Sequence, residues 1–212
     1  MTLPVILFLL AAVIPVFFGK IRSAPFWITL QALALGWNGA AAHESLAGHA
    51  LIALVELLAV RVLLAPWLLR RAIRRHGGPN LDLMPSNLFA WAAAVALIVL
   101  AFEFGSPAMS DPQALTLGAI AATVAVALLL LSTNRAAPSQ LVALMFMENA
   151  LALFESLLVE PWPGPVHAAL SAVYLLTVAV GSGLIGAIGD NPLPTALPGA
   201  LPGAQPPTRD GA

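Results

Sequence analysis

The chain has 212 residues, 60% of them hydrophobic and 9% charged, with a net charge of −1 and a mean hydropathy of +0.92. A soluble domain carries about 25% charged residues, so this composition excludes one and points to an integral membrane protein. The near-neutral balance excludes a basic nucleic-acid surface, and the lack of cysteine excludes disulfides, cysteine-ligated zinc and cysteine-held iron–sulfur clusters in this chain.

A membrane-crossing helix needs about 20 mostly apolar residues for a hydrocarbon core of about 30 Å. Seven segments qualify: 2–19, 25–44, 49–70, 87–105, 113–132, 139–160 and 166–189. The expected fold is all-α, a polytopic membrane protein with a seven-helix transmembrane domain over 1–190. Breakers separate the segments: Lys20-Ile21-Arg22, Gly77-Gly78-Pro79, Pro107, Asp111-Pro112, Pro138 and the run Pro161 to Pro165. The first segment contains Pro4 and Pro15 and puts its basic residues after the apolar stretch, which reads as a retained helix and not a signal peptide. Residues 191–212 are rich in Pro, Gly and Ala, repeat Ala-Leu-Pro-Gly within 196–203 and are expected to form a disordered cytoplasmic tail.

Basic residues fall after odd-numbered segments: Lys20 and Arg22, then Arg70, Arg71, Arg74 and Arg75, then Arg135. The connections after segments 2, 4 and 6 carry none. By the positive-inside rule the amino terminus is expected outside and the carboxyl terminus in the cytoplasm of a bacterial inner membrane. The arginine cluster, with His76, reads as an orientation signal against anionic lipid or a docking patch for a cytoplasmic partner.

An ionisable group inside the bilayer costs about 2.5–3.5 kcal/mol, so it is read by default as functional. Glu56 and Arg61 in the third segment and Glu148 and Glu155 in the sixth are such groups, whereas Glu103 lies at an interface. Counting about 1.5 Å per residue from the outer ends puts Gln31, Arg61 and Glu148 about 18–20 Å deep and Asn38, Glu56 and Glu155 about 8–10 Å deep. Two polar layers are expected, with Glu148, Arg61, Glu56 and Glu155 as relay groups and Gln31 and Asn38 lining the path. Gln31 and Asn38 are seven residues apart, as are Glu148 and Glu155, so each pair shares a helical stripe. Arg61 is expected to pair with Glu148, and Glu56 to lie near Glu155, where like charge favours a shared proton. The competing reading is that these groups only pin helix contacts, worth about 0.6 kcal/mol each.

Other signals are weaker. His43-Glu44 and His49 resemble a zinc motif, but the histidines are six apart and do not share a face, so no metal is expected. His167 joins them at the outer rim, as solvated surface or a weak proton collector. Gly181-Ser182-Gly183 has no following histidine to serve as a base. The seventh segment has no lysine, which excludes a retinal Schiff base.

In the sixth segment, Asn134-Arg135 followed by Leu144-Met145-Phe146-Met147-Glu148-Asn149-Ala150 resembles a stretch of the hydrogenase-4 component E family, and more distantly complex I subunit K. Arg22 with Gln31, and Arg61-Val62-Leu63-Leu64-Ala65-Pro66, are similar to that family too. The resemblance implies a non-redox membrane-arm subunit of a complex I-like or group 4 hydrogenase-type assembly, without a cofactor of its own. Its implied partners are antiporter-like subunits and a peripheral redox module, and its implied activity is proton or sodium translocation. It implies matching roles for Glu148, Arg61 and Gln31. The chain departs from it in the seventh segment, which offers Ser171, Tyr174, Thr177 and Ser182 in place of a carboxylate. An autonomous small-solute or ion transporter and a purely structural assembly subunit are the alternatives.

Overall fold

The computed structural model describes residues 2–42, 48–75, 82–84, 87–105, 111–158 and 162–190. Among these it is all-helical, with seven helices and one short turn of 3-10 helix at Ile21–Ser23. They are α1 Thr2–Phe18, α2 Ala24–Ala42, α3 over 49–75, α4 Leu88–Gly105, α5 Asp111–Thr133, α6 Ala137–Glu155 and α7 Gly164–Asp190. By length and composition four stretches are apolar enough to cross a membrane: Leu51–Arg75, Pro112–Thr133, Ala137–Glu155 and Gly164–Ala187. The expected tail, 191–212, lies outside the described residues.

Two expected boundaries shift. α3 runs on through the arginines to Arg75, because Ala65, Leu69 and Ala72 form a buried stripe at i, i+4 and i+7 while Arg70, Arg71, Arg74 and Arg75 stay exposed. α6 stops at Glu155, where Ser156 donates its hydroxyl to the Leu153 carbonyl at 2.6 Å and the backbone N–H groups of Ser156 and Leu157 close a tighter turn. Glu155 is therefore a helix-end residue and not an interior one.

α3 is α-helical over His49–Leu57, π-helical over Leu58–Leu64 and α-helical again over Ala65–Arg75. Pro66 explains the middle stretch: it has no N–H to donate, and its ring crowds the carbonyl four residues back. The Ala65 N–H instead reaches the Val60 carbonyl, five residues away. Within the widened stretch Arg61 turns inward and is the only buried side chain between Leu51 and Leu64.

The helices pack with α2 and α6 near the centre: α2 against α1, α3 and α6, and α6 against α5, α7 and α2; α3 also lies along α7, and α4 packs mainly on α5. The apolar core is in two parts. One contains Val16, Ile28, Leu69, Leu83, Leu130 and Phe146, and the other Phe8, Leu35, Ile120 and Leu153. On α2 the step from one part to the other occurs at Gln31, and on α6 at Asn149. A polar layer thus divides the core across its middle.

One end of the bundle is clasped by backbone and amide contacts. Leu83 N–H donates to the Gly19 carbonyl at 3.0 Å, and Lys20 and Asp82 form an isolated antiparallel bridge. Asn134 donates through Nδ2 to the Leu83 carbonyl at 2.8 Å and to Ser139 Oγ at 3.0 Å, while its Oδ1 accepts the Ala136 N–H at 2.9 Å. Residues after α1, α3 and α5 therefore meet at one end, the end that also carries Lys20, Arg22 and Arg135.

α4 approaches α5 closely at Gly118, where a Cβ would fall 2.5 Å from Phe102 Cδ1. Gly118→Val forces that ring out of its place, and overpacking of this kind costs about 1–3 kcal/mol. Thermal unfolding of the detergent-solubilised variant checks this, and an unchanged midpoint would show that the α4–α5 contact is soft.

Candidate functional site

The middle polar layer draws one side chain from each of four helices. Arg61 of α3 donates through Nη1 to Asn149 Oδ1 of α6 at 2.8 Å, and Asn149 Nδ2 donates to Gln31 Oε1 of α2 at 2.9 Å. On its other side the Arg61 guanidinium stacks over the Tyr174 ring of α7, 4.1 Å from the centroid. Gln31, Asn149 and Tyr174 are fully buried and Arg61 is 6% exposed, so this cation is held inside the bundle by neutral partners. Gln31 Nε2, Tyr174 OH and Ser182 Oγ are buried without a hydrogen-bond partner among the described residues.

Gln31 reaches this position because Ala24, Ile28, Gln31, Leu35 and Asn38 form the buried stripe of α2. Asn149 lies on the buried stripe of α6 with Val142, Met145, Phe146 and Leu153. Glu148 is one residue, or about 100°, away and falls on the outward stripe with Leu144, Leu151 and Glu155. The expected Arg61–Glu148 ion pair is accordingly not formed: Arg61 takes the neighbouring amide, and among the described residues Glu148 has neither a hydrogen bond nor an ion pair within 4.0 Å. The Glu148 carboxylate does lie within electrostatic range of Arg61 and Tyr174.

The outer layer is a separate cluster. His167, in the first turn of α7, directs Nδ1 to Glu155 Oε2 at 3.2 Å and Nε2 to Glu56 Oε2 at 3.8 Å. Glu56 and Glu155 thus do not share a proton directly, because the imidazole stands between them. Asn38 Nδ2 donates to Ser156 Oγ at 3.3 Å and ties α2 to the end of α6. All three groups of the carboxylate–imidazole–carboxylate set are part-buried, with side-chain exposures of 30% for Glu56, 34% for His167 and 19% for Glu155.

Six residues singled out by sequence therefore divide three ways. Gln31 and Arg61 are joined through Asn149; Glu56 and Glu155 are joined through His167; Glu148 and Asn38 stand apart from both sets. Asn149, Tyr174 and His167 were not among the expected site residues. Asn149 had a signal, being an amide in an apolar helix beside Glu148. Tyr174 is the sole tyrosine, and it engages Arg61 through its ring, which no polar spacing reveals. Among the described residues no group of His, Cys, Asp or Glu is arranged to hold a metal ion. His43 and Glu44 lie outside the described residues.

No family profile and no solved structure matches the chain. It is 30% identical over 167 residues to the uncharacterized protein Rv0085 of Mycobacterium tuberculosis, an alignment covering 73% of this chain and 76% of the relative. The chain belongs to the family of that protein.

Proposed function

We propose that this member of the Rv0085 family is a seven-helix, non-redox membrane subunit of a complex I-like or group 4 hydrogenase-type assembly, and that its buried polar groups take part in proton or sodium translocation. The observation that carries the subunit reading is Glu148. It lies near the middle of α6, about 16 Å along the axis from Ala137 and about 10 Å from Glu155, on a stripe whose flanking leucines are exposed. Left against lipid, such a carboxylate costs about 2.5–3.5 kcal/mol. A neighbouring subunit that presents a cation or a hydrogen-bond donor to this stripe removes the cost, and antiporter-like membrane-arm subunits are partners of that chemistry.

The two layers suit different tasks. His167 accepts a proton on one ring nitrogen and releases it from the other, so it links Glu56 and Glu155 as a proton-collecting group at the outer end. Arg61 acts as a fixed charge. It is held by Asn149 and Tyr174 and lies within electrostatic range of Glu148. The hydroxyl of Tyr174, buried without a partner among the described residues, is a point at which water can be retained beside Arg61. The amino terminus is outside and the carboxyl terminus cytoplasmic, with the basic end of the bundle facing the cytoplasm of a bacterial inner membrane.

The test is recovery of the tagged full chain from native membranes in mild detergent, with mass spectrometry of everything retained. Antiporter-like subunits together with a hydrogenase-like or quinone-reductase-like module are expected in stoichiometric amount. Recovery alone or only with itself would overturn the subunit reading in favour of an autonomous transporter.

A further inference from the structure

The cytoplasm-facing end of α3 carries a second feature that the polar layers do not use. Trp67, Arg71, Arg74 and Arg75 line an open cleft of about 290 Å³. They lie at i, i+4, i+7 and i+8, on the side of the helix opposite the buried Ala65, Leu69 and Ala72, and all four are exposed. The Arg71 guanidinium rests 5.5 Å from the centroid of the Trp67 ring. That contact orients the flat fork while leaving its N–H edges free. Among the described residues none of these arginines has a carboxylate within 4.0 Å. Three like charges are thus held together on one and a half turns without a carboxylate partner among the described residues.

Depth along α3 sets these charges against the bilayer. Leu51 lies about 15 Å from Arg61 toward the outer end, so Arg61 is at the middle of the span. In the other direction Arg71 lies about 15 Å away and Arg75 about 21 Å. The hydrocarbon half-thickness is about 15 Å, and headgroups extend to about 20–22 Å from the midplane. The arginines fall in the phosphate layer, and Trp67, about 9 Å from Arg61, lies just below it on the acyl side, with the Arg71 guanidinium over its ring. The cleft has room for a phosphate and its glycerol.

We propose that this cleft is a binding site for the phosphate of an anionic phospholipid headgroup, with Arg71 and Arg74 donating to its oxygens and Trp67 packing on the upper acyl chain. The proposal rests on the membrane placement of the chain and is independent of any redox complex. The experiment is native mass spectrometry of the full chain in a mild neutral detergent, titrated with phosphatidylglycerol or phosphatidylcholine. Phosphatidylglycerol is expected to bind at least tenfold more tightly. Arg71→Gln with Arg74→Gln, both at exposed positions, is expected to weaken it about thirtyfold. Arg22→Gln with Arg135→Gln removes the same charge from the same end outside the cleft and is expected to change binding less than threefold. Equal losses in the two pairs, or no preference between the lipids, would overturn the site. Displacement of the lipid by equimolar glycerol 3-phosphate would assign the cleft to a soluble phosphate instead. Recovery of the chain from cells without detergent would overturn the site and the membrane placement together.

Discussion

Replacing Arg61 by methionine is expected to destabilise the detergent-solubilised chain by about 1–3 kcal/mol and to release the outer half of α3 from the bundle. Between Leu51 and Leu64 Arg61 supplies the only buried side chain, and it ties that half of the helix to Asn149 and Tyr174 beside the part-buried contacts of Glu56, Leu57 and Val60. Methionine keeps the length of the stem but leaves Asn149 Oδ1 buried without its donor and forfeits the stacking on Tyr174. Relief of the burial cost of a cation offsets part of the loss, which keeps it from being larger. Thermal unfolding and amide hydrogen exchange over residues 51–64 read the effect, and exchange there is expected to accelerate more than in α6. The triple variant Arg61→Met, Asn149→Leu, Gln31→Leu removes the whole polar chain and is expected to recover most of the stability, because apolar replacement of both partners leaves nothing unpaired. A single variant as stable as the parent would show that Arg61 does not anchor α3.

The helices were legible in the sequence because each is a long apolar run bounded by Pro, Gly or charge, and those signals survive whatever the packing is. The α2 stripe was legible too, since Gln31 and Asn38 are seven apart in an otherwise apolar helix and both turn inward. The same spacing misled on α6. Glu148 and Glu155 do share a stripe, but spacing says nothing about which stripe faces the bundle, and in an apolar helix both sides look alike. The inward stripe carries Asn149, and the difference of one residue decides which group Arg61 meets. The π-helical turn of α3 was hidden for a related reason. Pro66 announces a disturbance of the ladder, yet whether it becomes a kink, a break or a widened turn depends on the neighbours available to Arg61. The partners of His167 were not legible because they come from α3 and α6, whose approach to the start of α7 no local pattern specifies.

The sharper functional prediction concerns Glu148. On the proposed function, Glu148→Gln is expected to cut ion translocation by the proposed assembly at least tenfold while leaving the yield of that assembly unchanged. Glutamine has nearly the same shape and still offers hydrogen bonds to a neighbouring subunit, so the outward stripe of α6 keeps its contacts. It cannot ionise, so it cannot take up and release a proton as the proposed relay requires. Glu155→Gln is expected to do less, because His167 retains Glu56 at 3.8 Å as an alternative carboxylate. Asn149→Leu should behave in the opposite way: it breaks the Arg61–Asn149–Gln31 chain, so yield and stability fall while flux per surviving complex falls much less. Flux measured with a pH- or sodium-sensitive dye in inverted membrane vesicles, divided by complex content, separates these outcomes. If Glu148→Gln instead lowered yield and left flux per complex intact, Glu148 would be a packing contact to the neighbouring subunit. The charge at the middle of α6 would then serve assembly alone.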